Sequence, residues 1–238
     1  MSLGPLGLLD SYSIPRQTQT ADTAIVATVP PRGGKRTKLF FIQYTSAGTQ
    51  HTITIMRELG RAKLTAAAAA AATTFILDQD PGKYSTSREF GGLTGAPVSG
   101  VAGPRQVTPS AADNNIAASD YIVVQMADGT FWTTTVSSCT TNADGTVTVT
   151  VSAIPGAGIN KGATVWFMGV AADTDPHFNA ANPVLKPTTS ATTPYPAAAA
   201  GGGSVVAQSF HMNSPIIVYS DNPTAAGVLD YGTAGYGV

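Results

Sequence analysis

Apolar and polar residues alternate most cleanly from Thr146 to Val151, where Thr and Val take turns and Val147, Val149 and Val151 fall on one face of a strand. Similar signals surround it. Tyr121 to Met126, Thr130 to Ser137 and Ala163 to Val170 read as strands, with Asp128-Gly129 and Asp144-Gly145 as hairpin turns between them. Four consecutive strands with short connections predict an antiparallel meander. A further strand at Thr73 to Leu77 would let the group close a small barrel and hide its edges.

The flanks are less regular. Thr23 to Val29 predicts a strand that stops at Pro30-Pro31. Lys38 to Tyr44 and Thr52 to Met56 predict a hairpin about the turn Ser46-Ala47-Gly48. Two more strands are expected at Ser204 to Phe210 and Pro215 to Ser220. The alanines from Ala66 to Ala72 are strong helix formers, yet no apolar stripe marks a face and threonines flank them. A connector with at most a turn or two of helix is expected there. Residues 78–119 form a long loop rich in Gly, Pro, Ser and Asp, of the kind that is functional or pinned by a partner.

The fold class that follows is all-β, a small antiparallel β-barrel or sandwich with a flanking sheet formed by N- and C-terminal strands, long loops and extended arms. The expected divisions are an extended arm at 1–22, an outer sheet from 23–63 with 204–221, and an inserted barrel at 64–175. A Pro/Ala/Gly-rich linker follows at 176–203, and a second arm at 222–238.

Composition adds a constraint. Charged residues make up 11% of the chain, against about 25% in ordinary globular domains. A surface with so little charge repulsion and a net charge of −1 favours association. The charge is also unevenly spread. Residues 1–105 carry eleven basic and six acidic side chains (+5), and residues 106–238 carry two and eight (−6), which sum to −1. Opposite fields on one subunit suit head-to-tail docking. The basic residues are dispersed, not striped, so no nucleic-acid partner is expected. Leu3 to Leu9 is too short and too broken to be a signal peptide, and no apolar run reaches the ~20 residues of a membrane helix. Cys139 is alone, which excludes an intrachain disulfide and fits synthesis in a reducing cytoplasm.

No catalytic constellation emerges. His51, His177 and His211 are far apart in sequence and read as polar strand-end residues. Asp173, Asp175 and His177 are the densest polar cluster, and Asp78 and Asp80 a second, but neither has the spacing of a calcium loop. Turn capping is the expected role. Gly33-Gly34-Lys35 lacks the spacing and the hydroxyl residue of a phosphate loop. Phe131, Trp132, Trp166 and Phe167 are expected in the core, not on a sugar-stacking face. The sequence therefore assigns no catalytic, cofactor-binding or metal residues, and no enzyme is expected.

Several segments in order carry a resemblance. They are the alanine run, Thr73-Thr74-Phe75-Ile76-Leu77, Asp80-Pro81-Gly82, Asp120-Tyr121-Ile122-Val123-Val124-Gln125, Asp128-Gly129-Thr130-Phe131, the Thr-Val repeat, and Gly162-Ala163-Thr164-Val165-Trp166-Phe167-Met168-Gly169-Val170. Residues 64–175 in this cadence resemble tailed-bacteriophage virion structural proteins. The resemblance implies a β-barrel or β-sandwich subunit present in many copies on a phage particle, made in the host cytoplasm. Within that class it implies a capsid decoration (cement) protein at the capsid surface. Its partners would be the major capsid protein and copies of itself, with the arms and the long loop as bridges. A tail, neck or head-fibre component is the nearest alternative. A carbohydrate-binding adhesion module is the alternative from another class.

Overall fold

The computed structural model describes residues 9–13, 16–19, 25–46, 53–81, 106–107, 115–171, 184–185, 207–208, 212–220 and 227–236. Among them the regular structure is all β, with no α-helix. The chain forms two compact units, residues 1–56 with 173–238, and residues 57–172.

The second unit holds the hairpin-rich region. Its strands are β5 (Ile53–Lys63, from Arg57 onward), β6 (Thr74–Leu77), β7 (Gln106–Val107), β8 (Tyr121–Gln125), β9 (Phe131–Thr141), β10 (Val147–Val151) and β11 (Thr164–Ala171). They lie in the order β5-β11-β8-β9-β10-β6, with β7 parallel to the end of β11. The expected meander is thus corrected to a Greek key, because β11 returns beside β8 and not beside β10. The reason is competition for an edge. β6 already pairs with β10 from Val147↔Leu77 to Thr150↔Thr74.

Both hairpin turns are one residue longer than the two-residue form their Asp-Gly pairs suggest. Gly129 N donates to Met126 O at 3.0 Å and Met126 N to Thr130 O at 2.9 Å. Gly145 and Asn142 repeat the arrangement with Asn142 and Thr146 oxygens at 3.0 and 2.8 Å. Each glycine has φ +85°, the left-handed position that a three-residue loop requires.

The alanine run is not helical. Ala68 pairs with Ile159 in an isolated bridge, Ala71 N donates to Ile154 O at 2.8 Å, and Ile154 N donates to Ala72 O at 2.9 Å. Backbone groups that a helix would use internally are spent on residues 154–159. A second bridge, Leu64↔Leu77, brings β6 against the chain leaving β5. Within this unit the outermost strands, β5 and β6, therefore meet at one bridge, short of the continuous ladder of a closed barrel. Inside lies one core, including Leu59, Leu64, Phe75, Leu77, Ile122, Val124, Val147, Val149, Val165 and Phe167. Burial of this kind is worth roughly 25 cal/mol per Å² of apolar surface.

The first unit contains β1 (Leu9–Ser13), β2 (Arg16–Gln19), β3 (Ile25–Val29), β4 (Arg36–Ser46), β12 (Val184–Leu185), β13 (Ala207–Gln208), β14 (Ile216–Ser220) and β15 (Gly227–Tyr236). β15 pairs with β4 from Gly227↔Ser46 to Tyr236↔Arg36 on one side, and with β1 and β2 on the other. β14 pairs with β3. Two expectations are corrected here. Parts of the two arms, 1–22 and 222–238, are strands that pair with each other. The hairpin of Lys38–Tyr44 with Thr52–Met56 does not form, since β4 pairs with β15 and β13 while β5 pairs with β11 and β12. The ladder to β15 spans nearly all of β4, so the nonlocal pairing outweighs the local turn. In the linker, Val184 and Leu185 pair with Thr54 and Ile53.

Candidate functional site

The outward face of β6, β10 and β9 follows directly from the Thr-Val alternation. Val147, Val149 and Val151 are buried, which sends Thr148 and Thr150 to the other side. Register then builds two rows across three strands, Ile76-Thr148-Thr140 and Thr74-Thr150-Ser138. Thr74, Ser138 and Thr140 are exposed, and Ile76 is 41% exposed. Asn142 Nδ2 donates to Thr146 Oγ1 at 2.9 Å and to Thr148 Oγ1 at 3.1 Å, which orients the hydroxyls at one end. These rows contain no ionisable group. Such a face offers hydroxyls and one apolar side chain to a partner, with little charge to desolvate.

The turns at the two ends of β9 carry the acids nearest these rows. Asp128 Oδ1 accepts from Thr130 N at 2.9 Å and Thr130 Oγ1 at 2.6 Å. Asp144 Oδ1 does the same with Thr146 N at 3.0 Å and Thr146 Oγ1 at 2.6 Å. In each case the threonine hydroxyl, then its backbone N–H, holds the carboxyl below its ordinary value of 3.8. Both acids are therefore ionised at neutral pH.

The base of the long loop is clasped. Asp80 Oδ1 accepts from Ile116 N at 3.1 Å, and Cys139 Sγ donates to Ile116 O at 2.8 Å. Ile116 itself is a core residue, so the clasp holds both ends of the 78–119 segment to the β-body. Cys139 is packed against that core, as a small side chain should be. Asp78, which is exposed, accepts from Lys63 N through Oδ1 at 2.9 Å, so each of the two acids caps a backbone N–H.

The aromatics divide. Trp166 is 4% exposed and its ring lies 5.9 Å from that of Phe131 at 57°. Phe167 is buried in the core, and Trp132 packs partly buried against it. Gly33-Gly34-Lys35 is a tight turn with Gly34 at φ +69°. His51, His177, His211, Asp173 and Asp175 lie outside the described residues. Among the described residues no cluster of three or more His, Cys, Asp or Glu is placed to hold a metal ion. No described helix is long and apolar enough to cross a membrane. Sequence reasoning missed the clasp on Ile116 and the hydroxyl rows. The rows were within reach of the alternation at Thr146–Val151, whereas the clasp joins residues 36 apart and left no local signal.

No protein family matches the chain, and no curated protein matches it in sequence. Among solved structures it aligns with VP17, a capsid protein of bacteriophage P23-77, at 7% identity and a TM-score of 0.23, over 97% of this chain and 98% of that one. It also aligns with the VP16-VP17 complex, a complex of the two major capsid proteins of bacteriophage P23-77, at 8% identity and a TM-score of 0.21, over 96% and 100%. At such TM-scores neither alignment carries weight for fold or function.

Proposed function

We propose that the chain is a structural protein of a phage virion that works by docking onto other subunits without catalytic turnover. The carrying observation is the uncharged, hydroxyl-rich face of β6, β10 and β9, displayed on a two-unit all-β body in which charged residues make up 11% of the sequence. Such a face is suited to being covered, because removing it from water strands no charge. The resemblance of residues 64–175 to tailed-phage virion proteins points the same way.

The finer reading is a capsid decoration protein at the particle surface. It would bridge neighbouring major capsid subunits, so that internal pressure must break additional contacts before the shell opens. A tail, neck or head-fibre role differs in copy number. Quantifying the chain against the major capsid protein in purified particles tests the choice. Near-equal or simple fractional stoichiometry across the shell is the expected result, and a single ring's worth of copies would move the protein to the neck or tail. Absence from particles would end the reading.

A carbohydrate-binding module fits less well. Sugar stacking needs aromatic faces open to water, and Trp166 is almost wholly buried while Trp132 leans on the core.

A further inference from the structure

Positive charge collects at the turn that joins β3 to β4. From Thr23 to Met56 the sequence has no Asp or Glu, but it has Arg32, Lys35, Arg36 and Lys38. The turn is held in shape from outside itself. Gly34 N donates to Asn213 Oδ1 at 2.6 Å, and Asn213 N donates to Lys35 O at 3.0 Å. Arg32 Nη2 donates to Thr233 Oγ1 at 3.3 Å. Its aliphatic stem lies so close over Gly235 that a Cβ there would come within 2.8 Å of Arg32 Cδ. Arg36 opens β4 opposite Tyr236, and its Nε is buried without an acceptor among the described residues.

The second unit supplies the complement. Ala127-Asp128-Gly129-Thr130 and Ala143-Asp144-Gly145-Thr146 are the same turn made twice. Each presents an exposed carboxylate whose Oδ1 is fixed by threonine, and neither has an ion pair among the described residues. We propose that the Arg32–Lys35–Arg36 turn of one copy docks an Asp-Gly-Thr turn of a second copy. The contact is heterologous, one patch against a different patch, so it propagates into rings or open chains. Exposed ion pairs contribute little affinity each. The charges therefore set register and encounter rate, and the uncharged face of β10 and β9 beside the acidic turns is available for burial. The inference rests on the reading that this chain acts by assembly.

Sedimentation velocity of the full chain over a concentration series, at low and high salt, tests it. Wild type should self-associate, more weakly as salt rises. R32Q/K35Q and D128N/D144N should each lose about tenfold or more in affinity, while circular dichroism melts confirm that both fold. Asn keeps the turn's acceptor and removes only the charge. Mixing the two variants leaves one competent interface per pair, so dimers should form and growth should stop there. The single variants D128N and D144N then show which turn is used. A monomeric wild type, salt-independent association, or variants that associate as wild type does would overturn the contact. So would a basic turn whose neutralisation abolished binding of inorganic phosphate or a DNA fragment but left self-association intact. Incorporation into particles is measured separately. A chain that enters particles but fails here sinks only the contact, and one that passes here but is absent from particles sinks only the virion reading.

Discussion

Glu58 and Arg61 face each other on one side of a β-strand although they are three residues apart. Arg61 Nε donates to Glu58 Oε1 at 2.6 Å and Nη2 to Oε2 at 2.8 Å. In a regular strand residues i and i+3 point to opposite faces. A bulge removes the conflict: Phe167 pairs with Gly60 and Met168 with Glu58, leaving Leu59 as the extra residue. Gly60 sits next to that extra residue, where a missing side chain suits a bulge.

Glu58 is 4% exposed while the Arg61 side chain keeps 34% of its surface in water. Arg61→Ala should therefore strand a buried carboxylate and cost about 2–3 kcal/mol, below the 3–5 of a fully buried pair. Urea unfolding would show it, and a Glu58→Gln/Arg61→Ala double variant should recover part of the loss. A single variant as stable as wild type would refute the assignment.

Asp80→Ala should destabilise the second unit by about 1–3 kcal/mol, because the Ile116 N–H loses its buried acceptor. Hydrogen exchange gives the sharper readout. The Ile116 amide should lose protection more than the amides of β10 do.

Acid should reveal the two Asp-Gly-Thr turns. Their folded pKa values lie below the ordinary 3.8, so their contribution to stability is complete above that value and is lost as pH falls through the lowered one. Carboxyl carbon NMR should give midpoints under 3.8 for Asp128 and Asp144. Thr130→Val and Thr146→Val should each raise the midpoint of the adjacent acid, and unmoved midpoints would contradict the hydrogen bonds.

Two glycines separate backbone strain from crowding. Gly129 and Gly158 have φ of +85° and +78°, but only at Gly158 would a Cβ collide, lying 2.5 Å from Ala68 O. Gly129→Ala should cost about 1–2 kcal/mol from its left-handed backbone alone. Gly158→Ala should cost clearly more, since the alanine strap must also move. Equal melting temperatures would argue against the close approach.

Strand identity was legible wherever burial was one-sided. The Val147-Val149-Val151 face, the Asp-Gly turns and the ends of β6 and β11 could be read from the chain, because a half-buried strand writes its two environments in alternation. β15 shows the opposite case. Tyr231, Gly232, Thr233, Ala234 and Gly235 are all buried, so no alternation survives and its glycines resemble a loose tail.

By itself, then, the sequence determined an all-β chain, where most of its strands and turns fall, and a surface poor in charge. These depend on each residue's own neighbours and solvent exposure. Beyond the two hairpins announced by Asp128-Gly129 and Asp144-Gly145, only tertiary structure decided which strands pair. β11 went to β8, β4 to β15, and the alanine run to residues 154–159, because backbone donors and acceptors are alike in every strand and only competition among edges assigns them. The candidate site divides the same way: the threonines of β10 were readable as an outward row, but their alignment with Ile76, Thr74, Thr140 and Ser138 exists only in the folded register.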